Sequence, residues 1–278
     1  MSDLFTSHIV NWLLSSPPAE WVMQQAHELL IGALKQGPIP QHVAFVMDGN
    51  RRYAKNHKIE SLEGHHLGFE ALARILEVCY KCGVKVVTVY AFSIENFNRP
   101  KREVDGLMLL AKTKLSQLMQ HGEVLDRYGA RIKICGKREL IPNDVLEYVD
   151  KAVHATSNNS GAVLNICFPY GSREEMTHRS SSNTTRYPDP ETITSETLTN
   201  HMYTAGDPPL DMFVRTSGVE RLSDFMLWQC HQDTQMYFLK CMWPEFDLWH
   251  FLPVLIEWQW RQKQKDMDEK PRQGIKQR

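Results

Sequence analysis

Short apolar runs that stop on polar, glycine-bearing turns alternate along this chain with stretches of helical periodicity, and this alternation is the strongest constraint on its fold. Val43-Ala44-Phe45-Val46-Met47 is apolar throughout and ends on Asp48-Gly49-Asn50, as a buried strand ends in a turn. Phe69, Leu72, Ile75, Leu76 and Cys79 then recur on one helical face between Gly68 and Cys82, and Gly83 stands where a helix C-cap belongs. The pattern repeats: a strand over Val84–Phe92, a helix from about Arg102 to Leu125, a strand over Arg131–Cys135, a helix from about Pro142 to Thr156, and strands over Val163–Phe168 and Leu210–Val214. Strands separated by helices pair parallel and carry helices on both faces. The expectation is an α/β fold, a single domain with a central, largely parallel sheet flanked by helices. In such sheets ligands bind beyond the carboxyl ends of the strands, where residues 48–50, 93–99 and 169–171 would converge.

At 278 residues and 42% hydrophobic content the chain can bury one sizeable core. Its 32 basic and 33 acidic residues leave a formal net charge of −1, so no global field draws it to nucleic acid, and any anion site must be local. The six cysteines are dispersed, and the lone Cys79-x-x-Cys82 lies in a helical pattern with no second pair, which favours buried thiols over zinc. The first residues lack a secretory leader's pattern, and nowhere do about 18 apolar residues run together as a spanning helix needs. Residues 1–36 read as an amphipathic helical region. In it Val22, Ala26, Leu29, Leu30, Ala33 and Leu34 recur at helical spacing after Ile9, Trp12, Leu13 and Leu14, which suits docking on the protein's own core or lying on a membrane surface. Residues 37–260 form the main domain, interrupted by an irregular loop at 177–190, and 261–278 read as a solvated basic tail.

Two arginine-bearing segments follow strands. Asp48-Gly49-Asn50-Arg51-Arg52 offers a carboxylate for a hard cation, backbone N–H groups that can face a phosphate, and guanidinium forks for its oxygens, or else a helix N-cap with solvated arginines. Arg215-Thr216-Ser217-Gly218 leads to Arg221 and Ser223, a second such cluster that by itself also suits a turn with surface ion pairs; paired with the first, two anion sites suggest two phosphorylated substrates. Between them, the aromatic and polar residues from Tyr90 to Pro100 suit a ligand with an apolar tail and an ionised head, or equally core aromatics followed by a loop. His65 and His66 precede the Gly68 helix, and His65 could donate to a phosphate. The aromatic stretch 242–252 reads as a packed helix start or a subunit contact. No GxxxxGK[ST] loop, GxSxG elbow, HExxH or GxGxxG is present.

On these residues the sequence resembles the cis-prenyltransferases, close to eukaryotic dehydrodolichyl diphosphate synthase catalytic subunits. The motifs are HVAFVMDGNRRYAK at 42–55, GHHLGF at 64–69, YAFSIENFNRP at 90–100, RTSGVERLSDFMLWQ at 215–229 and WPEFD at 243–247, in the family's order. The resemblance implies a tunnel for a growing chain and Mg2+-dependent addition of isopentenyl diphosphate, in cis, to an allylic (farnesyl) diphosphate. It makes Asp48 the magnesium-linked carboxylate and Asn96 an orienting residue for proton loss. Gly49, Asn50, Arg51, Arg52, His65, Ser93 and Arg99 would surround the allylic diphosphate, and Arg215, Arg221 and Ser223 the isopentenyl diphosphate. It further implies dolichol synthesis by a peripheral enzyme on the cytoplasmic face of the endoplasmic reticulum membrane.

The chain departs from the family at three places. Many single-chain members have a metal-holding glutamate after the segment matching Leu227-Trp228-Gln229, whereas residues 230–238 contain none and leave only Asp233 and Gln235. An RxG element that completes the active site of homomeric members is absent from residues 261–266. The helix after the segment matching Cys167 to Met176 looks cut short by the irregular loop. The second departure implies a Nogo-B-receptor-like accessory subunit. The others leave open a catalytically impaired member that acts as a scaffold subunit.

Overall fold

The computed structural model describes residues 17–120, 123–181, 194–231 and 233–273. In chain order it contains α1 (Pro17–Leu34), β1 (His42–Val46), α2 (Asn50–His57), α3 (Ser61–Cys82), β2 (Val86–Tyr90), α4 (Lys101–Gln120), α5 (Glu123–Arg127), β3 (Ala130–Cys135), α6 (Asn143–Ala155), β4 (Ala162–Cys167), α7 (Ser172–Ser181), α8 (Ser195–His201), β5 (Met212–Arg215), β6 (Gln235–Phe238) and α9 (Leu248–Gln273), with 3-10 turns at Ile94–Asn98, Arg138–Leu140 and Trp243–Glu245. The six strands form one sheet in the order β3-β4-β2-β1-β5-β6, and every neighbouring pair is parallel. The expected α/β architecture is therefore present, and its parallel content is complete among the described strands.

Strand alternation assigns each side chain to a face. Val89, Ile134, Leu164 and Ile166 point to the side where α3 and α4 supply further apolar residues, and there they floor a cavity. The intervening Ala44, Val46, Cys135, Cys167 and Phe213 point the other way into a core with Tyr170, Phe225 and Met226. Every residue of β1 is buried, which is why that strand reads as an unbroken apolar run.

The helix that the spacing starts at Gly68 begins about two turns earlier and takes in two glycines. The helix pattern starts at Gly68 in sequence, yet α3 begins at Ser61 and takes in His65 and His66. A Cβ at Gly64 would lie 2.5 Å from the Asn50 carbonyl oxygen, and one at Gly68 only 2.3 Å from Asn50 Oδ1. Both positions thus need glycine for the close approach of α2 to α3.

The sheet unit spans Pro40–Val254, and its aromatic core places Phe45 against Trp243 (5.8 Å between ring centroids) and Phe251 (5.6 Å). Much of the aromatic 242–252 stretch is thus core: Trp243, Phe246 and Phe251 are buried, while Trp249 is exposed. The described residues 17–39 and 255–273 form a second compact unit, where Gln259 Nε2 donates to the carbonyls of Leu34 (2.7 Å) and Pro38 (3.0 Å). Among the described side chains of α1, Ile31 and Leu34 are buried, whereas Leu29 is 74% exposed. Ile9, Trp12, Leu13 and Leu14 lie outside the described residues.

Two segments differ from expectation. Residues 261–273, expected as a solvated tail, continue α9, with Arg261, Lys263, Lys265 and Asp266 exposed. The irregular stretch begins later than 177, because α7 runs to Ser181; residues 182–190 lie outside the described residues.

Candidate active site

The carboxyl ends of β1, β2 and β5 bring the two arginine-bearing segments together. Asp48, just beyond β1, accepts from Arg215 Nη2 at the end of β5 (2.9 Å, to Oδ2) and from the Gly49 N–H (2.7 Å, to Oδ1). Arg52 Nη2 stands 3.6 Å from Asp48 Oδ1, and its Nη1 donates to the Ser217 carbonyl (3.2 Å). Arg215 is 4% exposed, and its Nη1 donates to Ser223 Oγ (2.7 Å) and to the Arg221 carbonyl. Arg221 Nε also reaches Ser223 Oγ (3.3 Å). A buried guanidinium thus ties the first arginine-bearing segment to the second.

Backbone conformation does much of this placing. Gly49 at φ 110 turns the chain from β1 into α2. After β5, Ser217 (φ 80), Ser223 (φ 53), Asp224 (φ 58) and Met226 (φ 48) are all left-handed, a sparsely populated region for side chains with a Cβ. Such strain persists where surrounding contacts fix it. Here Ser217 N donates to the Cys241 carbonyl (2.7 Å), and Asp224 Oδ1 receives the Arg173 N–H (3.0 Å).

On the β2 side, Ser93 and Asn96 form a reciprocal cap: the Glu95 N–H donates to Ser93 Oγ (3.1 Å) and the Ser93 N–H to Asn96 Oδ1 (3.1 Å). The Asn96 carbonyl oxygen is therefore occupied. Glu103 holds Arg99 at 3.0 Å and stands 3.8 Å from Arg51, keeping two cations side by side. Glu103 was not singled out in the sequence, although its i, i+4 spacing from Arg99 is the signal that finds it.

His65 is largely buried, and its pKa is lowered to about 4 by burial first, then by Arg99 and Arg51, with Glu103 opposing. It is a neutral imidazole at physiological pH. The folded state resists a proton that the unfolded chain accepts near pH 6.5, so this contribution is intact above pH 6.5 and is lost as pH falls toward 4. About 2 kcal/mol of it is gone by pH 5. Urea midpoints at pH 7 and pH 5 are expected to differ by less in His65→Gln than in the unaltered chain; equal pH slopes would show that His65 is protonated in the folded state.

A cavity of about 770 Å³ opens from this rim. Asp48, Asn50, Arg51, His65, Ser93, Asn96, Arg99, Arg215, Arg221 and Ser223 line its charged part. Gly49 and Arg52 do not line it. Leu72, Leu76, Leu110, Leu118 and Leu164 are among the apolar residues of the rest. Asn50 Oδ1, His65 Nε2, Arg215 Nε and Ser217 Oγ are buried without a hydrogen-bond partner, an unusual concentration of unspent polar capacity. Both substitute metal candidates lie at the opposite end of the sheet from Asp48. Gln235 pairs with Met212 at the amino end of β5, about 10 Å along the strand from Arg215, and so cannot join Asp48. Asp233 precedes it at the same amino end.

A rim of arginines and carboxylates at the strand ends that opens into an apolar chamber defines the class of this α/β protein. The family model described as undecaprenyl diphosphate synthase matches residues 46–266, and the chain belongs to this cis-prenyltransferase family. It is 46% identical over 256 residues to a dehydrodolichyl diphosphate synthase complex subunit of Schizosaccharomyces pombe, covering 91% of this chain and 97% of that one. It is 43% identical to a dehydrodolichyl diphosphate synthase complex subunit of Homo sapiens, covering 87% of this chain and 75% of that one. Among solved structures, lavandulyl diphosphate synthase from Lavandula x intermedia in complex with dimethylallyl diphosphate superposes with a TM-score of 0.73 at 28% identity, covering 79% of this chain and 95% of that one.

Proposed function

We propose that this chain is the catalytic subunit of a dehydrodolichyl diphosphate synthase, which adds isopentenyl diphosphate units in cis to farnesyl diphosphate to make a long polyprenyl diphosphate for dolichol and protein glycosylation. The observation that carries this reading is the continuity of the charged rim with the apolar chamber in one cavity. The names of the fission yeast and human relatives support the product class and the role of complex subunit.

In this reading Gly49, Asn50, Arg51, Arg52, His65, Ser93 and Arg99 serve the allylic diphosphate, and Arg215, Arg221 and Ser223 the isopentenyl diphosphate. Among the described residues no three His, Cys, Asp or Glu side chains converge as a metal cage. Asp48, set among arginine forks, suits an ion held mostly by substrate phosphates and water, which fits Mg2+. Asp48 would hold that ion, which would neutralise charge on the departing diphosphate. The arginines share this stabilisation as the allylic C–O bond breaks. The double bond of isopentenyl diphosphate then attacks the allylic carbon, and loss of a proton leaves the new cis double bond. Asn96 Oδ1 is already engaged by the Ser93 N–H, so Asn96 orients through its amide N–H groups while a phosphate oxygen takes the proton.

An accessory subunit, Nogo-B-receptor-like, completes the site in place of the RxG element that residues 261–266 lack. Attachment is peripheral, on the cytoplasmic face of the endoplasmic reticulum, through the amphipathic N-terminal region; no helix among the described residues is long and apolar enough to cross a membrane. The test is incorporation of radiolabelled isopentenyl diphosphate with farnesyl diphosphate and Mg2+, with and without the accessory subunit. Polyprenyl product is expected with the subunit present. No product under either condition would leave the scaffold reading standing instead.

A further inference from the structure

Ser223 cannot hold its own position at the rim. It and Asp224 take left-handed φ angles of 53 and 58, which are unfavourable for a residue with a Cβ, so other groups must fix the turn. From inside the site Arg215 Nη1 donates to Ser223 Oγ (2.7 Å), and Arg221 Nε approaches the same oxygen (3.3 Å). A diphosphate bound by these arginines would draw on the same donors. The hydroxyl therefore needs an anchor that substrate does not touch.

Asp224 supplies it. It does not line the cavity, and its side chain, 17% exposed, turns to the start of α7. Its Oδ1 accepts the Arg173 N–H (3.0 Å), with Arg173 Nε 3.2 Å from the same oxygen, and its carbonyl accepts the Ser172 N–H (2.8 Å). Gly171, just ahead of α7, has no side chain with which to cap that helix, and a Cβ there would lie 2.8 Å from Asp224 Oδ2. The cap comes instead from 50 residues further along the chain, and Ser172 Oγ answers it by accepting the Leu227 N–H (3.0 Å). The frame to which Asp224 is tied is itself fixed to the β2 side: Ser93 bridges to Tyr170, and the Ile94 N–H donates to the Tyr170 carbonyl (3.1 Å). Arg173 Nη2 also donates to Glu95 Oε1 (3.1 Å), but both side chains are about 70% exposed, so that contact adds little.

We propose that Asp224 is a positioning residue for the isopentenyl diphosphate site: by capping the first turn of α7, its carboxylate holds Ser223 in the left-handed conformation that presents Ser223 to the cavity. This rests on the reading above that Ser223 serves isopentenyl diphosphate. Asp224 acts through Ser223 and touches neither substrate.

The test is steady-state kinetics of the full chain with its accessory subunit, varying each substrate while the other saturates. Asp224→Gly takes a left-handed φ without steric cost and removes the acceptor. It is expected to raise the KM for isopentenyl diphosphate about tenfold, the scale of one lost helix cap, with kcat and the KM for farnesyl diphosphate within about twofold of the unaltered chain. Asp224→Asn keeps an oxygen for the Arg173 N–H and tolerates the same φ, and it is expected to bring that KM back to within about threefold. A fall in kcat with both KM values unchanged, the mark of a smaller folded fraction, would mean that Asp224 only supports the fold. Unaltered kinetics in Asp224→Gly would mean that Ser223 is held without it, and an asparagine no better than glycine would mean that the cap is not what positions Ser223. Any of these overturns the positioning role. Ser223→Ala, measured alongside, separates it from the reading on which it rests: an unchanged KM for isopentenyl diphosphate there removes Ser223 from that site and the role of Asp224 with it, whereas a raised KM there with no shift in Asp224→Gly overturns the role of Asp224 alone.

Discussion

Asp48→Asn is expected to lower turnover by about 10³-fold while the protein remains folded, the scale on which losing one preorganised electrostatic partner acts. Asparagine keeps the shape at the end of β1, so the cap from the Gly49 N–H and the packing beneath it survive. What disappears is the charge that faces Arg215 Nη2 at 2.9 Å and supplies the hard oxygen donor of the rim. Because Asp48 is 30% exposed, the accompanying stability loss is modest, about 1–2 kcal/mol. Single-turnover rates on farnesyl diphosphate, with circular dichroism as the folding control, check both parts. Turnover within about tenfold of the unaltered chain would remove Asp48 from the chemistry.

The sheet was legible because its strands are buried on both faces and its helices are not. Val43–Met47 and Val163–Phe168 stood out against amphipathic neighbours, and the structure places β1 and β4 within a residue or two of them. β6 escaped notice: its four residues, Gln-Met-Tyr-Phe, form an edge strand too short and too mixed to show a period. The α9 extension escaped for a related reason. Residues 261–273 carry almost no apolar residues, so their helix has no face to read, and they continue a helix that starts in the aromatic stretch.

The rim was half legible. Polar residues at strand ends declare themselves, so Asp48, Arg51, Arg99 and Arg215 were found. What those residues do to one another depends on long-range folding. Glu103 bridging toward both Arg51 and Arg99, the burial that keeps His65 neutral, and the run of left-handed residues at 217–226 exist only once β1, β2 and β5 are side by side. Lys114 shows the same limit from the other side. In sequence it is one lysine in a polar-looking helix, and only packing reveals that α4 turns it into an apolar chamber.

Arg215→Lys is expected to raise the KM for isopentenyl diphosphate by about 10- to 100-fold, the equivalent of one or two lost charge-assisted hydrogen bonds. The guanidinium fork serves Asp48, Ser223 and the Arg221 carbonyl at once, and its Nε is left over, buried and unpartnered. A lysine conserves the charge but is a compact point donor and cannot span the same three acceptors. Its ammonium would settle either on Asp48, leaving Ser223 and Arg221 unbraced in a loop of left-handed residues, or on that loop, leaving Asp48 without its buried partner. The two choices are separable. Loss of the loop raises KM for isopentenyl diphosphate alone, whereas loss of the Asp48 contact lowers kcat with either substrate saturating. An unchanged KM together with an unchanged kcat would show that Arg215 braces the fold and does not handle substrate.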